Sequence, residues 1–263
     1  MNMKAQSIDT QNESPLKSTH IVTTQTVGKQ TLQTLIKKKG GNVTHIPMLG
    51  IKPLNIGAIK QKACYQADIW IFLSQHSVTT NGKLLKKIHT DQHIIAIGPG
   101  TQVSLEEINL PADSVPKTDF SSVGIASLDY LQNNTPQKII IFSESTKPQP
   151  LCTMLKNKGH EIGHIATYTH QALNTNTIAN HFKKHNHTID YITTHSQKGL
   201  LHLLTCIKQE KLIECHNKTI VVTCKKMESL AKKSGFQSII QSQDNTAKSI
   251  VNTLITHRRD TTS

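Results

Sequence analysis

The stretch Asp68-Ile-Trp-Ile-Phe-Leu-Ser74-Gln75-His76-Ser77-Val78 occurs a second time in much the same form, as Asp190-Tyr-Ile-Thr-Thr-His-Ser196-Gln197-Lys198-Gly199-Leu200. Asp68, Ser74 and Gln75 recur as Asp190, Ser196 and Gln197 at one constant offset. Each copy reads as a short apolar strand, a small polar turn at Ser-Gln, and an amphipathic helix (Val78 to Ile88; Leu200 to Ile207). A strand entering a helix through such a turn presents the unpaired amide N–H groups of the first helical turn, backed by the positive end of the helix dipole. That chemistry suits a phosphate or a carboxylate. Two such corners facing one another across a cleft would hold a molecule with several negative charges.

The flanking sequence repeats as well. Ile21-Val-Thr-Thr24 reads as a strand, Leu32 and Ile36 stripe a helix that stops at Gly40, and Val43 to Ile46 is the next strand. Leu151, Leu155, Gly159, Ile162 and Ile165 repeat that spacing without a gap. A further strand closes each half, His93 to Ile97 and Thr219 to Thr223. A period of about 120 residues is a duplicated domain and not a solenoid. βαβ units build parallel sheets with helices on both faces, so the expected fold class is α/β with two similar parallel-sheet lobes. Breaks at Pro47 to Pro53 and at Tyr168 to Asn176 place two crossings between lobes. The expected division is residues 20–48 with 171–257 as one lobe and 49–170 as the other. A disordered leader (1–19) and a polar tail (258–263) flank them.

A formal net charge of +13 favours acidic partners. The lysines are spread over many helices, and only 4% of residues are aromatic, too few for base-stacking platforms, so nucleic acid is disfavoured. No apolar run reaches membrane-spanning length and the first residues carry no hydrophobic signal segment, so a cytoplasmic protein without a membrane partner is expected. Five cysteines without a CxxC pair suggest neither a disulfide framework nor zinc. His76 and His195 flank the two turns but lack ligand-spaced Cys or carboxylate companions, so no metal is expected. The absence of G-x-S-x-G argues against hydrolase chemistry.

Ile97-Gly98-Pro99-Gly100-Thr101 is a further local signal. Gly98 frees the backbone at a strand end, Pro99 suits the first helical turn, and Thr101 adds a hydroxyl near exposed N–H groups. The order of these motifs resembles the uroporphyrinogen-III synthase family. That family has an opening Val-Thr-Arg strand, here Ile21-Val-Thr-Thr24, and a strand ending in Pro, here His45-Ile-Pro47. Its Asp-x-x-Ile-Phe-Thr-Ser turn resembles Asp68 to Ser74, and its Ala-Val-Gly-Pro-x-Thr loop resembles Ala96 to Thr101. Its Ser-x-Gly-Leu helix start resembles Ser122-Val-Gly124-Ile125, and its Val-Tyr strand end resembles Ala166-Thr-Tyr168.

The resemblance implies a bilobed fold joined by two β connections, with substrate in the cleft. It also implies a cofactor-free cyclisation of hydroxymethylbilane to uroporphyrinogen III, with loss of water and inversion of ring D. The expected partner is therefore a linear tetrapyrrole polycarboxylate, bound by a monomeric lyase. Tyr168 is the implied catalytic residue, assisting departure of the hydroxyl. Ser74, Gln75, His76, Gly98, Pro99, Thr101, Ser122, His195, Ser196, Gln197, Lys198 and Lys225 are the expected substrate-binding positions. The sequence departs from the family pattern at Thr24 for Arg, at Leu73 and His195 for Thr, at Ser143-Glu144 for Arg-Gly, and at Cys224-Lys225 for Gly-Pro. A non-catalytic bilobed relative that binds a tetrapyrrole or another anionic ligand is the alternative reading.

Overall fold

A computed structural model describes residues 14–26, 31–132, 135–144 and 150–262. In chain order the elements are β1 (His20–Thr23), α1 (Thr31–Lys38), β2 (Asn42–His45), β3 (Leu49–Pro53), α2 (Ala58–Tyr65), β4 (Ile69–Phe72), α3 (Gln75–Thr79) and α4 (Gly82–Ile88). There follow β5 (His93–Ala96), α5 (Pro99–Glu107), α6 (Ser122–Ala126), β6 (Lys138–Glu144), α7 (Pro150–Asn157) and β7 (Glu161–Ala172). The chain ends with α8 (Thr175–His185), β8 (Tyr191–Thr193), α9 (Gln197–Gln209), β9 (Thr219–Val222), α10 (Lys225–Lys233), β10 (Ser238–Gln241) and α11 (Ala247–Thr262).

Two compact units result: the described residues of Met1–Gly50 with Ala172–Ser263, and Ile51–Gln171. The sheet of the first unit has the order β10-β9-β8-β1-β2, and every one of these neighbours pairs in parallel. Numbered within the unit, this is the doubly wound order 2-1-3-4-5. The second sheet, β3-β7-β6-β4-β5, repeats that order with β3 in the fifth place. β3 runs antiparallel to β7: Leu54 N–H donates to Thr167 O at 2.9 Å and Leu173 N–H to Met48 O at 3.1 Å, so rising numbers on one strand meet falling numbers on the other.

The strands are apolar on both faces, as a sheet covered by helices on both sides requires. In the second unit Trp70, Phe72, Ile140 and Phe142 point into one core. Ile69, Ile71, Ile139 and Ile141 point into the other. In the first unit Val22, Ile192 and Ile220 alternate in the same way with Ile21, Tyr191 and Val221. The two repeated aspartates pin equivalent places. Asp68 Oδ2 accepts from the N–H of Lys138, the first residue of β6, at 2.7 Å, and Asp190 Oδ2 from the N–H of His20, the first residue of β1, at 2.8 Å.

Several expectations need correction. Of the expected leader, residues 1–13 lie outside the described residues. Leu16 and Thr19, however, are fully buried, and Leu16 N–H donates to Lys39 O at 2.9 Å. Leu16 packs with Ile21, Ile36 and Ile250, and an apolar side chain with such a pocket does not stay in solvent. The expected tail at 258–263 is helical as far as Thr262, because α11 simply continues. The helix expected from Val78 to Ile88 is two, α3 and α4, with Asn81 between them. Asn81 Nδ2 donates to Leu54 O at 3.3 Å and to Thr167 O at 3.0 Å, which ties the break to neighbouring backbone. The polar stretch expected from Tyr168 onward is instead the last part of β7, a twelve-residue strand.

Candidate active site

In a doubly wound sheet the direction of the crossover connections reverses once, and the crevice outside the strand carboxyl ends at that reversal is where ligands sit. In the second unit the reversal falls between β4 and β6, in the first between β1 and β8. The β4 end carries Leu73, Ser74 and Gln75; the β6 end carries Ser143 and Glu144.

Ser74 is the extended N-cap residue of α3, and its Oγ accepts from Ser77 N–H at 3.2 Å. The Ser74 hydroxyl in turn donates to the phenol oxygen of Tyr168 at 2.9 Å. With that oxygen accepting from Ser74, the phenol's own proton is not used in this bond. Tyr168 is only 5% exposed. Burial pushes its phenol above the ordinary range, the hydrogen bond to Ser74 pulls it back, and Glu144 pushes it up further. The group therefore holds its proton at neutral pH and acts as a donor.

Two imidazoles flank the phenol edge-on, His76 and His170, each with its ring centroid 5.6 Å from that of Tyr168. Burial, then the neighbouring His170, holds His76 below the usual histidine range. His170 Nδ1 lies 2.8 Å from Glu144 Oε1, a close approach that is an ion pair when the ring is protonated but is not aligned as a directed hydrogen bond. The His170 backbone N–H also donates to Glu144 Oε1, at 3.3 Å. This geometry depends on a register shift: Ser143 pairs with Ala166, but Glu144 pairs with Tyr168, so one residue of β7 is left over. Such irregularities re-aim side chains, and here the shift sets Glu144 opposite Tyr168. Sequence reasoning missed His170 and the role of Glu144. Once β7 is known to continue, the period of two puts Tyr168 and His170 on one face.

The remaining expected positions fare differently. Gly98 starts α5 with Pro99 at its first turn, and a Cβ on Gly98 would come within 3.1 Å of the Phe120 ring. Thr101 is 4% exposed, so its hydroxyl is not offered at the surface as expected. Its side chain lies on the inner face of α5, as do those of Ser104 and Leu105. At α6 the capping hydroxyl belongs to Ser121, which accepts from Val123 and Gly124 N–H at 3.1 and 3.4 Å, and Ser122 is the first helical residue. In the first unit Ser196 caps α9, accepting from Gly199 N–H at 3.1 Å, with Gln197 and Lys198 in the first turn. The amides expected to lie open at the two Ser-Gln turns are thus partly taken by the serines that precede them. His195 is half-buried, and burial together with the nearby His45 holds it down to about 4. Lys225 is exposed at the start of α10, behind an extended Cys224 that makes no side-chain cap. Among the described residues no group of three or more His, Cys, Asp or Glu side chains is placed to hold a metal ion, and no helix is long and apolar enough to cross a membrane.

The family model for uroporphyrinogen-III synthase HemD matches residues 30–252. The chain belongs to the uroporphyrinogen-III synthase family. Among solved structures it is similar to a mutant uroporphyrinogen III synthase from the extremely thermophilic bacterium Thermus thermophilus, at 14% identity and a TM-score of 0.53, over 92% of this chain and 99% of that one. It is similar likewise to the uroporphyrinogen-III synthetase of Helicobacter pylori, at 10% identity and a TM-score of 0.53, over 91% and 99% of the two chains. At such identities the likeness speaks for the fold. A search of the curated proteins matched none. Family membership supports uroporphyrinogen-III synthesis within haem biosynthesis as the function, and nothing in the site favours the non-catalytic alternative.

Proposed function

We propose that the chain is a cyclising hydro-lyase that converts hydroxymethylbilane to uroporphyrinogen III, with ring D inverted and water lost, acting as a cytoplasmic monomer without a cofactor. The observation that carries the catalytic assignment is the Ser74–Tyr168 hydrogen bond. It fixes the phenol at the carboxyl edge of the sheet and leaves the phenol's own proton unused in that bond.

Loss of the hydroxyl is the step that needs help. As the C–O bond breaks, the electron pair leaves with oxygen, and a proton from Tyr168 turns the departing hydroxide into water. The pyrrole nitrogen supplies electrons to the carbon left behind. Ring closure, by way of a spirocyclic pyrrolenine as the family resemblance implies, later releases a proton, which returns to the phenolate, so the tyrosine is regenerated. The rest of the rate enhancement is positioning of a flexible chain of four rings into one reactive conformer. Gln75, His76, the Gly98-Pro99 turn and the α6 start at Ser122 hold substrate carboxylates in the second unit. His195, Ser196, Gln197, Lys198 and Lys225 do so in the first.

The test is direct. Purified chain is mixed with hydroxymethylbilane and the macrocyclic products are oxidised and separated by isomer. Type III product above the spontaneous type I background supports the reading; type I alone, with the substrate bound and unreacted, supports a binding protein instead.

A further inference from the structure

The helices α1, α5, α7, α9 and α10 stop in one way. An N–H just past each helix reaches back to an earlier carbonyl: Gly41 to Ile36 O, Leu110 to Leu105 O, His160 to Leu155 O, Leu212 to Ile207 O and Phe236 to Ala231 O, at 3.0 to 3.2 Å. The residue before that N–H takes a positive φ, which glycine and, less readily, asparagine adopt without the clash that other side chains meet. It is Gly40, Asn109, Gly159 and Gly235 after four of these helices, and Lys211, with φ 54°, after α9. Lysine gains nothing from the backbone there. Its place beside a cavity is what sets it apart.

Lys211 borders an open cavity of about 550 Å³ between α9, α10 and the 3-10 turn Ile213–Asn217, a volume ordinary for a small-ligand site. Leu201, Leu204, Ile207, Ile213 and Leu230 form its apolar wall. Leu204 and Leu230 rest on the core of the first unit, whereas Leu201 and Ile213 are 44% and 69% exposed. Thr205 and Ser234 spend their hydroxyl protons on their own helices, on Leu201 O and Leu230 O, both at 2.9 Å. The remaining polar side chains at the cavity are His216, Lys208 and Lys211, and among the described residues no Asp, Glu, Phe, Tyr or Trp lines it. Glu210 is engaged elsewhere, accepting from the Thr175 hydroxyl at 2.7 Å, and Glu214 lines the neighbouring cleft, which Lys211 also borders. Among the described residues neither lysine is in ion-pair contact with a carboxylate. An aliphatic wall that ends in two cations complements an aliphatic chain that ends in an anion.

We propose that this cavity binds a medium-chain fatty carboxylate, its hydrocarbon against Leu204, Leu230 and Ile213 and its carboxylate paired with Lys208 and Lys211. The site stands apart from the Ser196 turn: Lys208 lies about 18 Å further along α9. It does not depend on the reaction assigned to Tyr168.

The experiment titrates the full chain at low ionic strength with decanoate, and with decan-1-ol as the uncharged counterpart, by calorimetry. Leucine and isoleucine methyl signals are followed by NMR, with those of Leu204 and Ile213 identified by their loss in Leu204→Val and Ile213→Val. The expected result is saturable binding of one decanoate per chain that shifts these methyls. Lys211→Gly removes a cation and at the same time suits the backbone, so its melting temperature should equal or exceed that of the parent. Its Kd for decanoate should nonetheless rise about fivefold, while its Kd for decan-1-ol stays within about twofold. A lysine with only a structural role would not divide stability, charged ligand and uncharged ligand in this way. Absence of saturable decanoate binding overturns the proposal, as do shifts confined to other methyls, or equal weakening of both ligands. Where Lys211→Gly melts below the parent, Lys208→Gln decides: a Kd for decanoate that does not rise overturns the site.

Discussion

The two units build the same frame and spend it differently. Asp68 and Asp190 each accept the first N–H of a neighbouring strand, and Ser74 and Ser196 each cap the following helix through the amide three residues on. Beyond those shared bonds the strand ends diverge. Ser74 donates a hydrogen bond to Tyr168, beside the close approach of His170 and Glu144; the corresponding end in the first unit has His195, His45, Thr23 and Thr193 instead. His45 Nδ1 sits 3.1 Å from Thr23 Oγ1, and His195 Nε2 sits 3.5 Å from Thr193 Oγ1. Neutral imidazoles and threonine hydroxyls can orient a ligand, but they lack a buried proton donor of the Tyr168 kind. The comparison teaches that one frame recurs in both units, and on the proposed reading the proton donor stands in the second.

The largest effect expected from this division belongs to Tyr168→Phe. Removing one oxygen takes away the proton donor and little packing, so kcat for type III product should fall by about 100-fold or more, with thermal stability close to that of the parent. A rate unchanged by the substitution would strip the second unit of its special role.

Next in size is the contrast between the matched serines. Ser74→Ala and Ser196→Ala each delete a helix cap, worth about 1 kcal/mol, and each should lower the melting temperature of the chain by about 2–4 °C. Only Ser74→Ala also deprives the phenol oxygen of its donor, and it should lower kcat by about tenfold. Ser196→Ala should leave kcat alone. Equal losses of kcat in the two variants would mean that the Ser74–Tyr168 bond is not what separates the units.

Much of this frame is legible in the sequence because it is local. The alternation of Ile69, Trp70, Ile71 and Phe72 announces a strand buried on both faces, and the step from Ser74 into Gln75 announces a helix start. What was not legible depends on pairing between distant strands. Nothing in Tyr168-Thr-His-Gln says that β7 continues to Ala172; its hydrogen-bonding to β3 and β6 decides that, and polar residues are tolerated because the strand's end is half-exposed. Nor does the sequence reveal the register shift at Ser143-Glu144 that brings Glu144 opposite Tyr168. Leu16 was hidden for a related reason: one apolar residue in a polar stretch gains a partner only once α1 and α11 close over it.

Acid should separate the units by a smaller margin. His195 is neutral in the folded chain down to about 4, against an ordinary value of 6.5 in the unfolded one. Between those values the unfolded chain binds a proton that the folded chain refuses, so stability is lost as pH falls through that window. One pKa unit corresponds to about 1.4 kcal/mol. With allowance for solvent around a half-buried ring, about 1–2 kcal/mol should go from the first unit. Amide exchange at pH 5 and pH 7 reads this strand by strand. Protection should drop in β1 and β8 more than in β4 and β6, and His195→Gln should erase the difference. A uniform drop that survives in the variant would break the assignment to His195.

The smallest expected effect tests what the first unit does in place of proton transfer. Where the second unit has Gly98-Pro99 at a helix start, the first has Cys224-Lys225, and Lys225 is exposed. An exposed cation acts on a polycarboxylate through solvent and is weakened by salt. Lys225→Ala should therefore raise KM by about threefold at low ionic strength, with kcat unchanged, because an interaction equal in the ground and transition states alters only binding. The effect should fade as salt is added. A fall in kcat at constant KM would place Lys225 in the chemical step, and the separation of holding from proton transfer between the two units would no longer stand.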